Sequence, residues 1–307
     1  MRTAVEHLMG TVFSLAAPDA TDPARFEAAA RAAFGYLRRV DEIFSPFRPD
    51  SPISRLADGR LSSAELAQHP DGPAIREVLD LCARLNRESG GAFDAWAVGD
   101  PPGFDPCGAV KGWATERAAE LIARHGVPRH ALNAGGDVRL RAGQDPTPWR
   151  IALTDPHRPG AVLTVLELRE GAVATSGTAE RGAHVFDPRT GRPATALAQV
   201  TVTGPDLALA DGYATAALAM AGQPDGQAGL RSWLASIAAD GGYQALTVDP
   251  QGRTWWTAGL PALLRAPAAL PQTQTALPRT PAAAGPPAAA STAAASTAAP
   301  APLPGGE

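Results

Sequence analysis

Six short strand-like segments follow one another between residues 130 and 204, and this succession constrains the fold more than any other feature of the sequence. In chain order the segments are HALNAGG, DVRLRAG, WRIALTD, AVLTVLEL, GAVATSG and QVTVTG. Several of them are joined by only a few turn-forming residues, whereas parallel strands need a crossover connection of a dozen residues or more. The pattern therefore favours antiparallel sheets.

Apolar residues at a spacing of three to four predict helices on both sides of this strand-rich region. The first helix begins after Asp22, a favourable N-cap, with Pro23 in its first turn. The predicted helices cover residues 22–44, 72–91, 113–126, 210–222 and 227–240, and strands are predicted near the start and at 243–248 and 254–259. We expect an α+β fold of antiparallel sheets with packed helices.

The last part of the chain differs sharply in composition from the rest. Residues 266–307 are dominated by Ala, Pro, Thr and Ser, with nine prolines and no aromatic residue. Such a segment buries too little apolar surface to offset the entropy of ordering it. We therefore predict one folded domain over residues 1–265, followed by a disordered low-complexity tail.

The net charge and the cysteine content exclude several classes of protein. A net charge of −4 and scattered arginines predict no nucleic-acid surface. The apolar runs are short and interrupted, so no membrane span is expected. Glu6 and His7 interrupt the region where a signal peptide would be apolar, and no cysteine stands near the start for lipid attachment. With only Cys82 and Cys107 no disulfide framework is possible, and a cytoplasmic location is expected.

Common nucleotide, zinc and serine-hydrolase motifs are absent from the sequence: there is no G-x-G-x-x-G, P-loop, H-E-x-x-H, C-x-x-C or G-x-S-x-G. What remains is a series of polar and glycine-rich clusters, each of which alone is explained by turns. They are Met9–Ser14, Ser45–Leu56, Gly90–Trp96, Asp105–Ala114, Asn133–Arg139, Ala174–Pro193 and Ala210–Thr215.

Two of these clusters contain unusual chemistry. Lys111 is the only lysine in the chain, because every other basic side chain apart from histidine is arginine. It is either a solvated surface residue or a point charge that the planar guanidinium of arginine does not replace. Asp211 and Thr215 lie four residues apart and share one helical face. Asp211 is either the N-cap of the following helix or, with Thr215, part of an oxygen site for Mg²⁺.

Taken in order, the seven clusters resemble those of the ApbE family, the FAD:protein FMN transferases, from about Met9 to Gly222. The resemblance includes the stretches MGT at 9–11, DPCGAVKGWA at 105–114, NAGGD at 133–137 and ADGYAT at 210–215. It implies an ApbE-like, T-fold-related flavin transferase domain that takes FAD as substrate and uses Mg²⁺.

The resemblance also implies roles for individual residues. The FAD site would contain Met9, Phe47, Ala92, Phe93, Asp94, Asp105, Lys111 and Phe186. Asp211, Thr215 and the carbonyl of Gly108 would bind the metal, and His184 would be the acid–base residue with Lys111 beside the substrate. Two departures from the family pattern concern the flavin pocket: Phe47 stands where transferases often have Tyr, and only ten residues, 95–104, separate Asp94 from Asp105.

The function implied is transfer of FMN from FAD to a Ser or Thr of an acceptor flavoprotein, with release of AMP. The acceptors of the family contain a stretch similar to D-G-x-(S/T)-G-A-T, of which this chain has no clean copy. Two alternatives remain open: an FAD pyrophosphatase with water as acceptor, and a flavin-binding protein without turnover.

Overall fold

The computed structural model describes residues 1–98, 103–178, 185–222 and 226–265. Within these ranges, seven α-helices are formed. Their bounds are α1 Pro23–Phe44, α2 Pro52–Ala57, α3 Ser63–Gln68, α4 Gly72–Glu88, α5 Cys107–Arg124, α6 Leu207–Met220 and α7 Gly226–Gly241. None of the described helices is long and apolar enough to cross a membrane.

Thirteen strands occur in the same ranges. Their bounds are β1 Arg2–Leu8, β2 Thr11–Ala17, β3 Arg129–Ala134, β4 Asp137–Ala142, β5 Trp149–Thr154, β6 Val162–Leu168, β7 Gly171–Gly177, β8 Phe186–Asp187, β9 Arg192–Pro193, β10 Gln199–Gly204, β11 Gln244–Val248, β12 Thr254–Trp256 and β13 Leu264–Arg265.

The strands form one large sheet and two small ones, all antiparallel. The large sheet has eight strands in the order β1-β2-β3-β4-β7-β10-β11-β12. A three-stranded sheet has the order β13-β6-β5, and β8 and β9 form a two-stranded ribbon. The predicted α+β fold with antiparallel sheets and packed helices is confirmed.

The central strands β3, β4, β7 and β10 of the large sheet are buried on both faces, and successive side chains of each strand point to opposite sides. On one face Leu132 of β3 packs in a core with the helices, mainly α1, α5 and α6. On the other face Val138 and Leu140 of β4 pack with residues of the three-stranded sheet such as Leu166. The helical face is the one that also receives Asp137 and Arg139 of β4.

Two details of the helix prediction are corrected by the structure. Helix α5 begins at Cys107, six residues before the predicted start, so Lys111 lies inside the helix. Asp211 is not an N-cap: it lies in the second turn of α6, whose N-cap is Asp206, with its side chain accepting from the Leu209 N–H at 2.9 Å. The predicted tail, 266–307, lies outside the described residues, and its disorder stays a prediction.

Candidate functional site

Helices α5 and α6 cross at very short distance, and the crossing depends on Gly112. A Cβ atom at this position would lie 2.7 Å from the Leu207 carbonyl oxygen and 2.8 Å from the Asp211 Cβ. Without a side chain, the Gly112 N–H reaches the Asp211 carboxylate and donates to Oδ2 at 2.9 Å. The sequence KG at 111–112 thus places a lysine and a buried aspartate at the same helix crossing.

Two buried carboxylates face the Lys111 ammonium at this crossing. Lys111 Nζ forms one ion pair with Asp137 Oδ2 and another with Asp211 Oδ1, at 3.6 Å in the second case. The aspartate side chains are 1% and 4% exposed, and that of Lys111 is 22% exposed. Asp137 Oδ1 in turn accepts from the Thr175 N–H at 2.8 Å. Each carboxylate therefore has one oxygen on a backbone amide and the other toward the lysine.

Burial raises the pKa of the Asp211 carboxyl to about 7. The Lys111 ammonium opposes this shift, Asp137 adds to it as a like charge, and the Gly112 N–H also opposes it. The site is thus built so that the charge of Asp211 depends on a nearby cation.

Oxygen atoms suited to Mg²⁺ lie beside Asp211. Thr215 follows one helical turn later, and its hydroxyl is 3.4 Å from that of Ser176 on β7. Gly108 is next to Thr215, because a Cβ added to the glycine would lie 3.5 Å from Thr215 Cγ2. In a regular helix the Gly108 carbonyl accepts from the Gly112 N–H, and in this structure the same N–H donates to the Asp211 carboxylate.

The predicted metal-binding residues therefore fit a small hard cation, which prefers oxygen ligands and keeps several waters. Within the described ranges, no group of three or more His, Cys, Asp and Glu side chains is positioned to hold a metal ion. The predicted set of one carboxylate, one hydroxyl and one carbonyl does not require such a group.

Phe93, one of the predicted flavin-site residues of the 90–105 region, lies beside this cluster. The Phe93 ring is close to Gly108, where an added Cβ would lie 3.2 Å from Cε2. Ala92 and Phe93 are buried. Asp94 Oδ1 accepts from the Trp96 N–H at 2.8 Å, and Asp105 Oδ1 accepts from the Cys107 N–H at 2.8 Å, at the start of α5. These two carboxylates shape the loop and the helix start.

Met9 lies at the turn between β1 and β2 in the left-handed region, with a φ of 51°, which is uncommon for a side chain of this kind. The next residues pack on the NAGGD turn: a Cβ at Gly135 would lie 2.0 Å from Thr11 Oγ1. Gly135 also donates its N–H to the Val12 carbonyl at 3.0 Å. The clusters at 9–14 and 133–139 are therefore adjacent, next to Asp137.

Phe47 lies on the loop between α1 and α2, and 90% of its surface is exposed. Ser51 supports this loop by donating to the Ser45 carbonyl at 2.8 Å and accepting from the Ser54 N–H at 3.0 Å. The contact of Phe47 with the flavin stays a prediction.

The ribbon of β8 and β9 carries Phe186 and packs near the end of α4. Asp187 accepts from the Arg189 N–H at 3.0 Å within the turn, and the Arg189 guanidinium donates to the Gly90 carbonyl at 2.9 Å. This contact joins the cluster at 174–193 to the one at 90–96. His184, the predicted acid–base residue, lies outside the described residues.

Sequence reasoning missed Asp137 and Ser176 as members of the cluster. Asp137 ends the NAGGD motif, but its approach to Lys111 depends on the packing of β4 under α5. Ser176 is in the TSG stretch and reaches Thr215 across the sheet–helix interface. The available signal was the acidic residue directly after a two-glycine turn in a chain of antiparallel strands.

The model of the ApbE family matches residues 9–99 and 98–239, which cover all the clusters described above. The chain belongs to the ApbE family. The predicted family membership is confirmed.

Two relatives that match part of this chain are both named FAD:protein FMN transferase. An FAD:protein FMN transferase of Rhodobacter capsulatus is 38% identical over 125 residues, which are 38% of this chain and 24% of that protein. One of Vibrio cholerae is 33% identical over 122 residues, 36% of each protein. The matched segments thus span well under half of these two relatives.

Solved structures agree with the fold over a larger share. The ApbE protein of Thermotoga maritima covers 86% of this chain and 99% of its own, with a TM-score of 0.68 and 21% identity. The flavin transferase ApbE of Vibrio cholerae covers 86% and 99%, with a TM-score of 0.66 and 20% identity. At these identities the likeness establishes the fold.

Proposed function

We propose that this chain is an Mg²⁺-dependent FAD:protein FMN transferase that attaches FMN from FAD to a Ser or Thr of an acceptor flavoprotein and releases AMP. The acceptor would carry a stretch similar to D-G-x-(S/T)-G-A-T. The relatives named above are called FAD:protein FMN transferases, and the ApbE family model covers the same clusters of this chain. A cytoplasmic location remains the prediction from the sequence.

One observation carries the proposal: the predicted metal ligands, which are far apart in the sequence, lie together at the crossing of α5 and α6. Gly108 and Asp211 are about a hundred residues apart, yet Thr215 lies next to the first and shares a helical face with the second. The Phe93 ring lies next to Gly108, so an apolar wall adjoins the polar cluster. This combination suits a ligand with a flat apolar part and a pyrophosphate.

The reaction joins the acceptor hydroxyl oxygen to the FMN phosphorus and breaks the bond from that phosphorus to the oxygen of AMP. The hydroxyl proton goes to a base, for which His184 is the candidate, and AMP leaves with the electron pair of the broken bond. Bound Mg²⁺ would neutralise charge on the pyrophosphate and the leaving phosphate. Asp211, Thr215 and the Gly108 carbonyl would hold it.

The residues of this chain have separate tasks in this scheme. The Lys111 ammonium balances the buried carboxylates at the site. Phe93 and Phe47 would contact the flavin ring, and Met9 the adenine side of FAD. Gly112 keeps α5 close enough to α6 for Asp211 to be fixed by a backbone N–H, so the carboxylate is oriented before a metal arrives.

The test is AMP release by the purified protein with FAD and Mg²⁺, with and without an acceptor protein. Covalent flavin is then read as fluorescence on the denatured acceptor. Asp211→Ala should abolish Mg²⁺-dependent turnover, whereas Asp240→Ala, at an exposed carboxylate on α7, should leave it unchanged.

Three outcomes are decisive. AMP release with flavin on the acceptor supports the transferase. AMP release without labelling, at the same rate with and without acceptor, would show the pyrophosphatase alternative. FAD binding with no AMP release would show a flavin-binding protein.

A further inference from the structure

The pairing of one lysine with two buried aspartates raises a question that the proposed function does not answer. Asp137 is not among the predicted metal ligands, yet its side chain is more deeply buried than that of Asp211. Among the described residues, these two buried carboxylates share one ammonium. Burying such charges is costly unless each has a close partner.

The Lys111 ammonium lies at unequal distances from the two carboxylates. The Lys111 ammonium is in closer contact with Asp137 Oδ2 than with Asp211 Oδ1, which is 3.6 Å away. The far oxygens are fixed by the Thr175 and Gly112 amides, at 2.8 and 2.9 Å. Because both carboxylates are anchored, the flexible lysine side chain is the mobile partner.

We propose that Lys111 is the resident counter-ion of the metal site, and that Asp137 is a positioning residue that holds its ammonium back from Asp211. In the metal-free protein the ammonium compensates Asp211 as well as Asp137. Metal binding at Asp211 leaves Asp137 as the partner of the ammonium. This inference rests on the proposed metal site at Asp211.

The proposal also accounts for the single lysine in an arginine-rich chain. A compact ammonium on a flexible stem can shift between two oxygens a few ångströms apart. A guanidinium is larger and planar, and it favours two parallel bonds to one carboxylate. In a Lys111→Arg variant the guanidinium would therefore be expected to bind one aspartate and crowd the place of the metal.

Two single variants should change metal affinity in opposite directions, measured as Mn²⁺ binding by electron paramagnetic resonance in the absence of FAD. Lys111→Met removes the competing cation and keeps the length of the side chain, so Mn²⁺ should bind roughly tenfold or more tightly. Asp137→Asn removes the carboxylate in closer contact with the ammonium, which is then drawn toward Asp211, so Mn²⁺ should bind roughly tenfold or more weakly. Unchanged or weaker binding in Lys111→Met would overturn the proposal.

Lys111→Met leaves two buried carboxylates without a cation and can fail to fold. The double variant Lys111→Met with Asp137→Asn avoids this, because one carboxylate and one cation are removed together. Compared with Asp137→Asn alone, the double variant should bind Mn²⁺ roughly tenfold or more tightly. Equal affinity in these two proteins would also overturn the proposal.

The single lysine gives a direct second readout. Labelling with [¹³Cε]lysine yields one methylene signal, which should shift as Mg²⁺ is added to the parent protein and stay fixed in Asp211→Asn. If Mn²⁺ binding depends on Asp211 but the lysine signal does not move with Mg²⁺, the counter-ion role fails while the metal site stands. If the parent protein binds no Mn²⁺ in the millimolar range, the metal site fails and the inference fails with it.

Discussion

At the residue scale, the close crossing of α5 and α6 should make Gly112 intolerant of any side chain. Gly112→Ala introduces a Cβ at 2.7 and 2.8 Å from atoms of α6, so the helices must move apart. We expect a loss of about 1–3 kcal/mol of folding stability in denaturant unfolding. Gly229→Ala on α7 is the matched control: nothing lies within 4 Å of its added Cβ, so stability should stay equal or rise.

Phe47 should affect ligand binding and leave folding unchanged, because 90% of its surface is exposed. Stacking of an aromatic side chain on a base-like ring contributes about 1–3 kcal/mol. Phe47→Ala should therefore weaken FAD binding by roughly tenfold to a hundredfold in a fluorescence-quenching titration. Trp256→Ala, an exposed aromatic on β12, should bind FAD as the parent does. Equal affinity of all three proteins would locate the flavin ring elsewhere.

His130 should make the protein less stable in mild acid. Its ring is fully buried on β3, its Nδ1 lies 2.7 Å from the Val127 carbonyl oxygen, and burial lowers its pKa to about 4 from the usual 6.5. Below pH 6.5 the His130 ring is protonated in the unfolded chain but stays neutral in the folded protein. Folding stability is therefore lost as the pH falls toward 4. Between pH 6.5 and 5 the loss should be about 1.5 kcal/mol.

A comparison of variants isolates this contribution of His130. The raised pKa of Asp211 acts in the opposite direction over the same range, so the absolute pH profile of the parent is a sum. The difference in unfolding free energy between the parent and His130→Gln should shrink by about 1.5 kcal/mol from pH 6.5 to 5. His125→Gln, at an exposed histidine, should run parallel to the parent; a His130→Gln profile parallel to the parent would contradict the assignment.

At the scale of elements, Glu116 joins the two helices of the site to the sheet. Its Oε1 accepts from Arg139 Nε at 2.7 Å and from the Arg141 guanidinium at 3.1 Å. Its Oε2 accepts from the Leu207 N–H at 3.0 Å, at the first residue of α6. One carboxylate on α5 thus pairs with two arginines of β4 and accepts from the first backbone N–H of the helix that carries Asp211.

Glu116→Gln should therefore be costly although it keeps the shape of the side chain. The amide NH₂ of the glutamine would face N–H donors in place of a carboxylate oxygen. The arginines would also lose a buried anion, and removal of one partner of a buried ion pair costs about 3–5 kcal/mol of folding stability. Thermal and denaturant unfolding measure the loss. Glu120 lies on the same helix and, within the described ranges, pairs with the exposed Arg117 and Arg124, so Glu120→Gln should cost less than about 1 kcal/mol. Similar stabilities of the two variants would refute the bridging role.

The sequence was informative for elements with a clear period and turn chemistry. The strands β3, β4, β7 and β10 were predicted because each is a short run of strand-forming residues that is followed or preceded by a glycine turn. The start of α5 was missed because CGAVKG contains two glycines and its N-cap position is Pro106, without a side-chain cap. The start of α6 was missed because that helix is buried on nearly all sides and shows little amphipathic periodicity.

The polar cluster was predictable only in part, because its members meet through long-range packing. Asp211 and Thr215 were found from their spacing on one helix face. Asp137 was not found, because nothing local in NAGGD indicates that β4 lies under the second turn of α5. Spacing along the chain thus reveals partners on one element, whereas partners across a sheet–helix interface need the tertiary structure.

At the scale of the whole molecule, the two faces of the eight-stranded sheet have different tasks. The helical face holds the charged cluster and the larger core. The opposite face is covered by the three-stranded sheet, whose core residues are apolar, among them Leu153 and Leu166. The described C-terminal residues belong to this cover: Leu260 is 1% exposed, and β13 pairs with β6.

This arrangement predicts where the chain can be shortened. A protein ending at Arg265 keeps β13 and the ion pair of Arg265 with Glu167, so its melting temperature and AMP release should equal those of the full chain. A protein ending at Gly259 lacks Leu260 and β13, and loss of a buried leucine alone costs about 1.5–3 kcal/mol. It should therefore melt at lower temperature. If the protein ending at Arg265 instead precipitates or melts as low as the shorter one, residues 266–307 pack on the domain and the predicted boundary is wrong.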